Sequence, residues 1–233
     1  MEKIIYVVWK RENDSETGLR KQLLEETSRQ LVELGVRRLS ISVADDDVAP
    51  ADALRTLATL PPISGIVSIW VDTALRCRPL ETLIQKAVAR TAGYLVTESE
   101  PLVNTRHPTS EGERTPGMCQ VVVFQKPPRL DRDHWLELWL GKHTKVALET
   151  QSTFGYRQNV VARALSYAAP PYDAIVEEYF PAAAMTDPTA FYDAAGDKDK
   201  LEKRQKTMFD SVARFIDFDK FDRIPMSEYI VKA

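Results

Sequence analysis

The sequence predicts an α+β fold built from two halves of the order βαββαβ. Three observations carry this. Short β-branched and aromatic runs alternate with amphipathic stretches of helical period in both halves. Two segments recur: Leu34-Gly35-Val36-Arg37-Arg38 aligns with Phe154-Gly155-Tyr156-Arg157-Gln158, and GIVSIWV at 65–71 aligns with AIVEEYF at 174–180. Between the halves, residues 101–117 hold three prolines, two glycines and several charges with no period, as a linker would. The expected division is therefore 1–100, a linker at 101–117, and 118–233. The order βαββαβ is the ferredoxin-like split βαβ unit. Such a sheet carries helices on one face only, and its other, apolar face needs a partner.

In the first half, KIIYVVW at 3–9 is β-branched and aromatic, hence a strand. Leu23, Leu24, Thr27, Leu31 and Leu34 give helical spacing over 19–34, and Gly35 fits a helix C-cap. Residues 36–43 alternate as a half-buried strand. Asp45-Asp46-Asp47 lacks the glycine and spaced carboxylates of a calcium loop and reads as a solvated turn or helix start. A short helix is expected over 50–60, a strand over 65–71, a helix over 79–90 with Pro79 at its start, and a strand over 94–98. His107, in the linker, is expected to be exposed.

The second half opens with an apolar strand, 118–126. Asp131 is a good N-cap, and Asp133 adds negative charge at the favoured end of the helix dipole. The helix runs to about 149–151, with Trp135, Trp139, His143 and Ala147 recurring every four residues on one face. A histidine on such a stripe is either a core residue satisfied by a carbonyl or a group able to exchange a proton near neutral pH. After a break at Ser152-Thr153, a strand covers 156–162. Tyr156 and Gln158 share one of its faces, and Arg157 and Asn159 the other; only one pair can look at His143, and the sequence leaves open which. Glu177 shares a face with Ile175 and Tyr179. Tyr192 and Asp193 are placed at the surface, and 198–204 on the solvated face of a helix. Residues 226–231 are expected as the strand that closes the edge.

Composition excludes several functions. With 31 Lys and Arg against 34 Asp and Glu, and no basic run, neither nucleic acid nor an anionic membrane is expected as partner. Residues 1–3 lead straight into a strand, with no signal peptide and no spanning apolar run, so a cytoplasmic protein is expected. Cys77 and Cys119 lack C-x-x-C spacing, and whether they approach each other is open. There is no Gly-rich phosphate loop, no G-x-S-x-G elbow, and three scattered histidines point to no metal.

The pieces Phe124-Gln125-Lys126-Pro127, His134-Trp135, Trp139 with His143, Gly155-Tyr156-Arg157-Gln158-Asn159 and Tyr172-Asp173-Ala174-Ile175-Val176-Glu177 stand in an order that resembles the EthD family of the dimeric α+β barrel superfamily. The resemblance covers about 118–231, and it implies that Phe215 to Asp219 is the family's late strand, with a structural role. One departure is Thr144-Lys145, where the family usually follows its His with Ala-Pro, so the helix is expected to run on unkinked. The resemblance implies an intramolecular version of the dimeric barrel, with further pairing of chains compatible. It also implies a pocket between helix and sheet, and cofactor-independent lyase or isomerase chemistry on a hydrophobic, aromatic or polycyclic metabolite. His143 would be the general acid or base, with Glu177 or Tyr156 orienting it or the substrate. Trp139, Trp135, Arg157, Gln158, Asn159 and Tyr179 would contact substrate. The alternatives are a noncatalytic binding protein of an oxidative catabolic system, and a heme protein with His143 as axial ligand. Aligning Gly35 with Gly155 sets Leu23 against His143 and Leu19 against Trp139, and aligning Ile66 with Ile175 sets Ser68 against Glu177, so a site is expected in the C-terminal half alone.

Overall fold

The computed structural model describes residues 1–233. Its strands are β1 Glu2–Trp9, β2 Arg38–Val43, β3 Gly65–Val71, β4 Arg90–Leu102, β5 Met118–Phe124, β6 Gly155–Ala164, β7 Ala174–Phe180 and β8 Phe221–Lys232. The helices are α1 (16–33), α2 Arg78–Ala87, α3 (132–150), α4 Pro188–Phe191 and α5 Lys198–Val212. All eight strands close into one antiparallel barrel in the order β1-β3-β2-β8-β5-β7-β6-β4. Read around the ring, β4-β1-β3-β2 comes from the first half and β8-β5-β7-β6 from the second. The β2–β8 and β4–β6 ladders join the halves, so neither leaves an open sheet edge.

Strand alternation sorts the apolar residues into three layers. Ile5, Val7, Tyr94, Val121, Ile175 and Met226 fill the barrel interior. Ile4, Tyr6, Ile41 and Val67 point outward and are covered by Leu19, Leu23 and Leu31 of α1 and Ile84 of α2. On the other side Val122, Phe124, Tyr156 and Val176 are covered by Trp135, Trp139 and Ala147 of α3 and Met208 of α5. Trp135 and Trp139 are almost fully buried, and each contributes on the order of 2–3 kcal/mol or more through the area it removes from water.

Asp131 caps α3 as expected, its carboxylate accepting from the His134 N–H at 2.8 Å. Both long helices contain a π-helical segment, at Gln22–Thr27 in α1 and Glu137–His143 in α3. Several expectations are corrected. Strand β4 is 13 residues long and takes in Pro101 and Leu102, because it pairs with β1 along one edge and β6 along the other. Pro101 is tolerated where the β4–β6 register slips between Ser99 and Leu102. Residues 215–219 form no strand; Phe215 and Ile216 turn inward beneath α3, where the Phe215 carbonyl accepts from Trp135 Nε1 at 3.2 Å. The helix expected over 50–60 is a 3-10 helix at Asp46–Leu54. His107 is half-buried, its ring edge-on to Phe154 at 4.5 Å. Cys77 and Cys119 are free thiols. No helix is long and apolar enough to cross a membrane.

Candidate active site

A cavity of about 180 Å³ lies between the C-terminal sheet and its covering helices. Of its 20 lining residues 14 are apolar, so its few polar groups decide what it can do. Trp139 and His143 reach it from α3, Tyr156 from β6, Gln120 from β5, Glu178 from β7 and Arg223 from β8. The last turns of the wall come from α5 and from Phe215 to Phe218.

His143 sits at the end of the π-helical segment, nine-tenths buried. Its Nδ1 is 2.9 Å from Ser211 Oγ, and its ring packs against Phe215 at 4.8 Å. Burial lowers its pKa to about 4, because no carboxylate is present to stabilise the imidazolium. At neutral pH the ring is therefore a neutral hydrogen-bonding group.

The group poised to exchange a proton near neutrality is Glu178, which the sequence-based expectation passed over. Burial pushes its carboxyl up to about 7, opposed by a 3.2 Å hydrogen bond from Gln120 Nε2 and by the charge of Arg223. Gln120 and Glu178 are directly paired across β5 and β7. Two buried atoms beside them have no partner: Gln120 Oε1 and Arg223 Nε. Burial also lowers the Arg223 pKa, and its only side-chain hydrogen bond is a long one to Thr56 Oγ1 at 3.4 Å. A guanidinium stays cationic even so. A signal for Glu178 was present in the sequence: in a Glu-Glu pair on a strand, one carboxylate must face each side.

Alternation also decides the remaining candidates. Tyr156 and Gln158 face the helices, with Gln158 Nε2 donating to Thr144 Oγ1 at 2.9 Å and to Tyr156 Oη at 3.1 Å. Gln158 thus ties β6 to α3 and does not line the cavity. Trp135 is core. Arg157, Asn159, Glu177 and Tyr179 face the barrel interior, on the far side of the sheet from His143. There Glu177 accepts from Lys3 Nζ and Asn159 Nδ2, both at 3.0 Å. Burial alone would raise its pKa, but Lys3, Arg157 and Asn159 together hold it below the usual carboxylate range. The expected pairing of Glu177 with His143 is therefore replaced by pairing with Lys3 of the first half. Tyr192, expected at the surface, lines the cavity and is half-buried.

In the first half the matching helix face is buried, with Leu19 and Leu23 at most 2% exposed. Counted from the helix starts, Thr27 and not Leu23 corresponds to His143, and Leu23 corresponds to Trp139. The two π-helical segments end at those same positions, Thr27 and His143. Leu19 and Leu23 pack in one cluster with Tyr6, Ile41 and Ile84.

Residues 127–219 match the model of the EthD domain. Over those residues the chain is similar to an EthD domain. No curated protein sequence matches the chain. In architecture it is similar to an anthrone oxidase-like protein, with a TM-score of 0.52 and 8% identity over 100% of this chain and 93% of that one. It is also similar to a candidate monooxygenase of Lactobacillus acidophilus NCFM, with a TM-score of 0.49 and 10% identity over 100% of this chain and 97% of that one. At such identity the first likeness shows the α+β barrel fold alone.

The residues do not fit a heme. The helix-covered cavity is smaller than the roughly 300–1,000 Å³ typical of sites for larger organic ligands. The His143 ring is packed on Phe215 at 4.8 Å. No three His, Cys, Asp or Glu side chains converge as a metal site.

Proposed function

We propose that the EthD half binds a single-ring aromatic acid or phenol in the helix-covered cavity and moves a proton on it through Glu178. The observation that carries this is a carboxyl with a pKa of about 7 in an apolar, aromatic cavity, beside two buried polar atoms without partners. A dry cavity of about 150 Å³ is enough for a benzene ring, so 180 Å³ favours one ring over a polycycle. Arg223 would draw in and orient an acidic or phenolic substituent, and Gln120 would accept a hydrogen bond from a hydroxyl. The ionised Glu178 would take a proton from a substrate carbon. It would return that proton to another carbon in an isomerisation, or to a departing hydroxyl in a dehydration. Neither step consumes an oxidant or a cofactor. His143, neutral and anchored to Ser211, would hydrogen-bond substrate and not carry the proton itself.

The same reading gives the first half a structural role. Each half contributes four strands in the same order, and Ser68 on β3 takes the ladder position that Glu177 takes on β7. Residues 1–100 and 118–233 are then a duplicated unit in which the first copy supplies the partner sheet.

The test is a thermal-shift screen of single-ring aromatic acids and phenols, since a ligand of the folded state alone raises Tm. Hits are then incubated with the protein in D₂O and followed by proton NMR. The expected result is protein-dependent C–H exchange or conversion, reduced about two to four orders of magnitude in Glu178→Gln. His143→Gln should weaken binding and retain most of the exchange. Stabilisation without exchange would leave a binding protein, and exchange that survives Glu178→Gln would overturn the role given to that carboxyl.

A further inference from the structure

The barrel interior holds a second cavity, separated from the first by the sheet. Its apolar end is filled by Trp9, Tyr94, Tyr172 and Ile63. Its other end opens into a pocket of about 320 Å³, of whose 13 lining residues only four are apolar. That volume lies within the range of small-molecule sites.

The pocket exists because opposite walls of the barrel differ. In β1, β3 and β2 one rung of the ladder reads Ile5, Ser68, Ser40. The equivalent rung of β5, β7 and β6 reads Val121, Glu177, Arg157. In the closed order of strands, β3 lies across from β7 and β2 across from β6. One wall therefore carries a long ion-paired couple, and the facing wall carries two short hydroxyls. The space between them is the pocket.

Its charges are unevenly satisfied. Lys3 is paired with Glu98 at 2.5 Å and Glu177 at 3.0 Å. Arg157 is paired with Glu100 at 3.0 Å and Glu228 at 2.8 Å. The side-chain carboxylates of Glu98, Glu100, Glu177 and Glu228 thus already have their cations. Arg38 and Lys232 have no carboxylate partner. The Arg38 guanidinium lies over the Trp70 ring at 5.9 Å, and Lys232 Nζ donates to the Val36 carbonyl at 2.8 Å. On the floor, Ser68 is only 4% exposed and its Oγ has no hydrogen-bond partner at all. A buried hydroxyl without a partner is destabilising, and a ligand oxygen would relieve it.

We propose that this open end of the barrel is a binding site for a small organic carboxylate. Arg38 and Lys232 supply the unpaired positive charge, with the planar guanidinium suited to two-point contact. Ser68 and Ser40 donate to a further oxygen of the same anion, and the Trp70 face packs against its carbon skeleton. Glu98 and Glu100 at the rim repel an anion that approaches other than along the Arg38 side.

Tryptophan fluorescence reads this site selectively. Trp9, Trp135 and Trp139 are buried to 3% exposure or less, whereas Trp70 is half-exposed in the pocket. Succinate and benzoate are the probes, titrated to tens of millimolar, with iodide and acrylamide as quenchers. Iodide should quench Trp70 more strongly than neutral acrylamide does, and at least one of the two carboxylates should protect it saturably. Trp70→Phe should abolish the signal. Arg38→Gln combined with Lys232→Gln should weaken binding about tenfold or more, as loss of charge-assisted contacts predicts. Both replaced side chains are at the rim, so Tm of the unliganded protein should hold. Arg223→Gln, in the other cavity, should leave the titration unchanged. Absence of saturable protection by both probes overturns the proposal, and so does protection undiminished in the double variant. Loss of protection in Arg223→Gln would relocate the anion to the helix-covered cavity and equally overturn it.

Discussion

Glu177 and Glu178 are consecutive on β7 and both are buried, yet their carboxyls live in opposite surroundings. Glu177 points into the barrel, where Lys3 from the first half and Arg157 from the second keep it ionised. Glu178 points at the helices, where apolar side chains surround it, one amide binds it, and its pKa rises to about 7. Burial alone does not decide how a carboxylate behaves. The deciding term is whether a cation shares its side of the sheet closely enough to outweigh desolvation. The pleat sends neighbours to different sides, so one strand carries a structural ion pair and a titratable acid at adjacent positions.

The comparison breaks most visibly at Lys3. Replacing Lys3 by Met leaves Glu98 and Glu177 facing one another without their shared cation, and should cost about 3–5 kcal/mol in urea unfolding at pH 7. Because the Glu177 pKa is held below its unfolded value, its contribution is present at neutral pH and is lost as pH falls through the folded pKa. The Lys3→Met protein should therefore lose less stability on acidification than the wild type. A loss under about 1 kcal/mol at pH 7 would mean that Arg157 suffices for Glu177.

Glu178 should respond with the opposite sign. Its folded pKa of about 7 exceeds the ordinary 4.5, so the folded protein holds a proton that the unfolded chain releases between those values. Stability contributed by this group falls as pH rises from about 4.5 to 7 and is flat beyond. Glu178→Gln removes the penalty while keeping the shape. It should stabilise the protein by up to about 3 kcal/mol at pH 8 and change little at pH 4, as paired urea titrations would reveal. Equal effects at both pH values would show that Glu178 titrates alike in the folded and unfolded protein.

His143 supplies the smallest and most diagnostic effect. Its folded pKa of about 4 lies below the ordinary 6.5, so its contribution is lost as pH falls from 6.5 to 4. Across the shared window it opposes Glu178. His143→Gln should cost about 1 kcal/mol at pH 8 through its contact with Ser211, and should flatten the acid side of the stability curve. An unaltered acid slope in chemical denaturation would mean that the ring takes up its proton as readily in the cavity as in the unfolded chain.

Much of this arrangement was legible before the fold was known. Asp131 as cap, the Trp139–His143 face and the strand Gly65–Val71 all rest on local chemistry, and they stand as expected. The alignment of the halves did not hold in detail. Gly35 matched Gly155 as a motif, but the ladders make Arg38 the partner of Trp70 where Gly155 partners Tyr179, and helix position Thr27 displaces Leu23. A glycine marks a turn, and turns change length without disturbing the strands they join. Phe215 to Asp219 resembles a late strand of the EthD family, but Trp135 and the cavity wall draw Phe215 inward instead.

What the sequence by itself determined is whatever depends on near neighbours along the chain: element type, caps, the helix stripe, and the fact that one of two adjacent glutamates must face each side of its strand. Only the tertiary structure decided which one. It brought Lys3 to Glu177 across 174 positions and set Gln120 and Arg223 around Glu178. It also left Ser40 and Ser68 facing the ion pair across an open barrel end. The physical reason is that a side chain's protonation follows the charges and water within a few ångströms of it. In a closed barrel those neighbours arrive from strands far apart in sequence, through registers that no local pattern specifies.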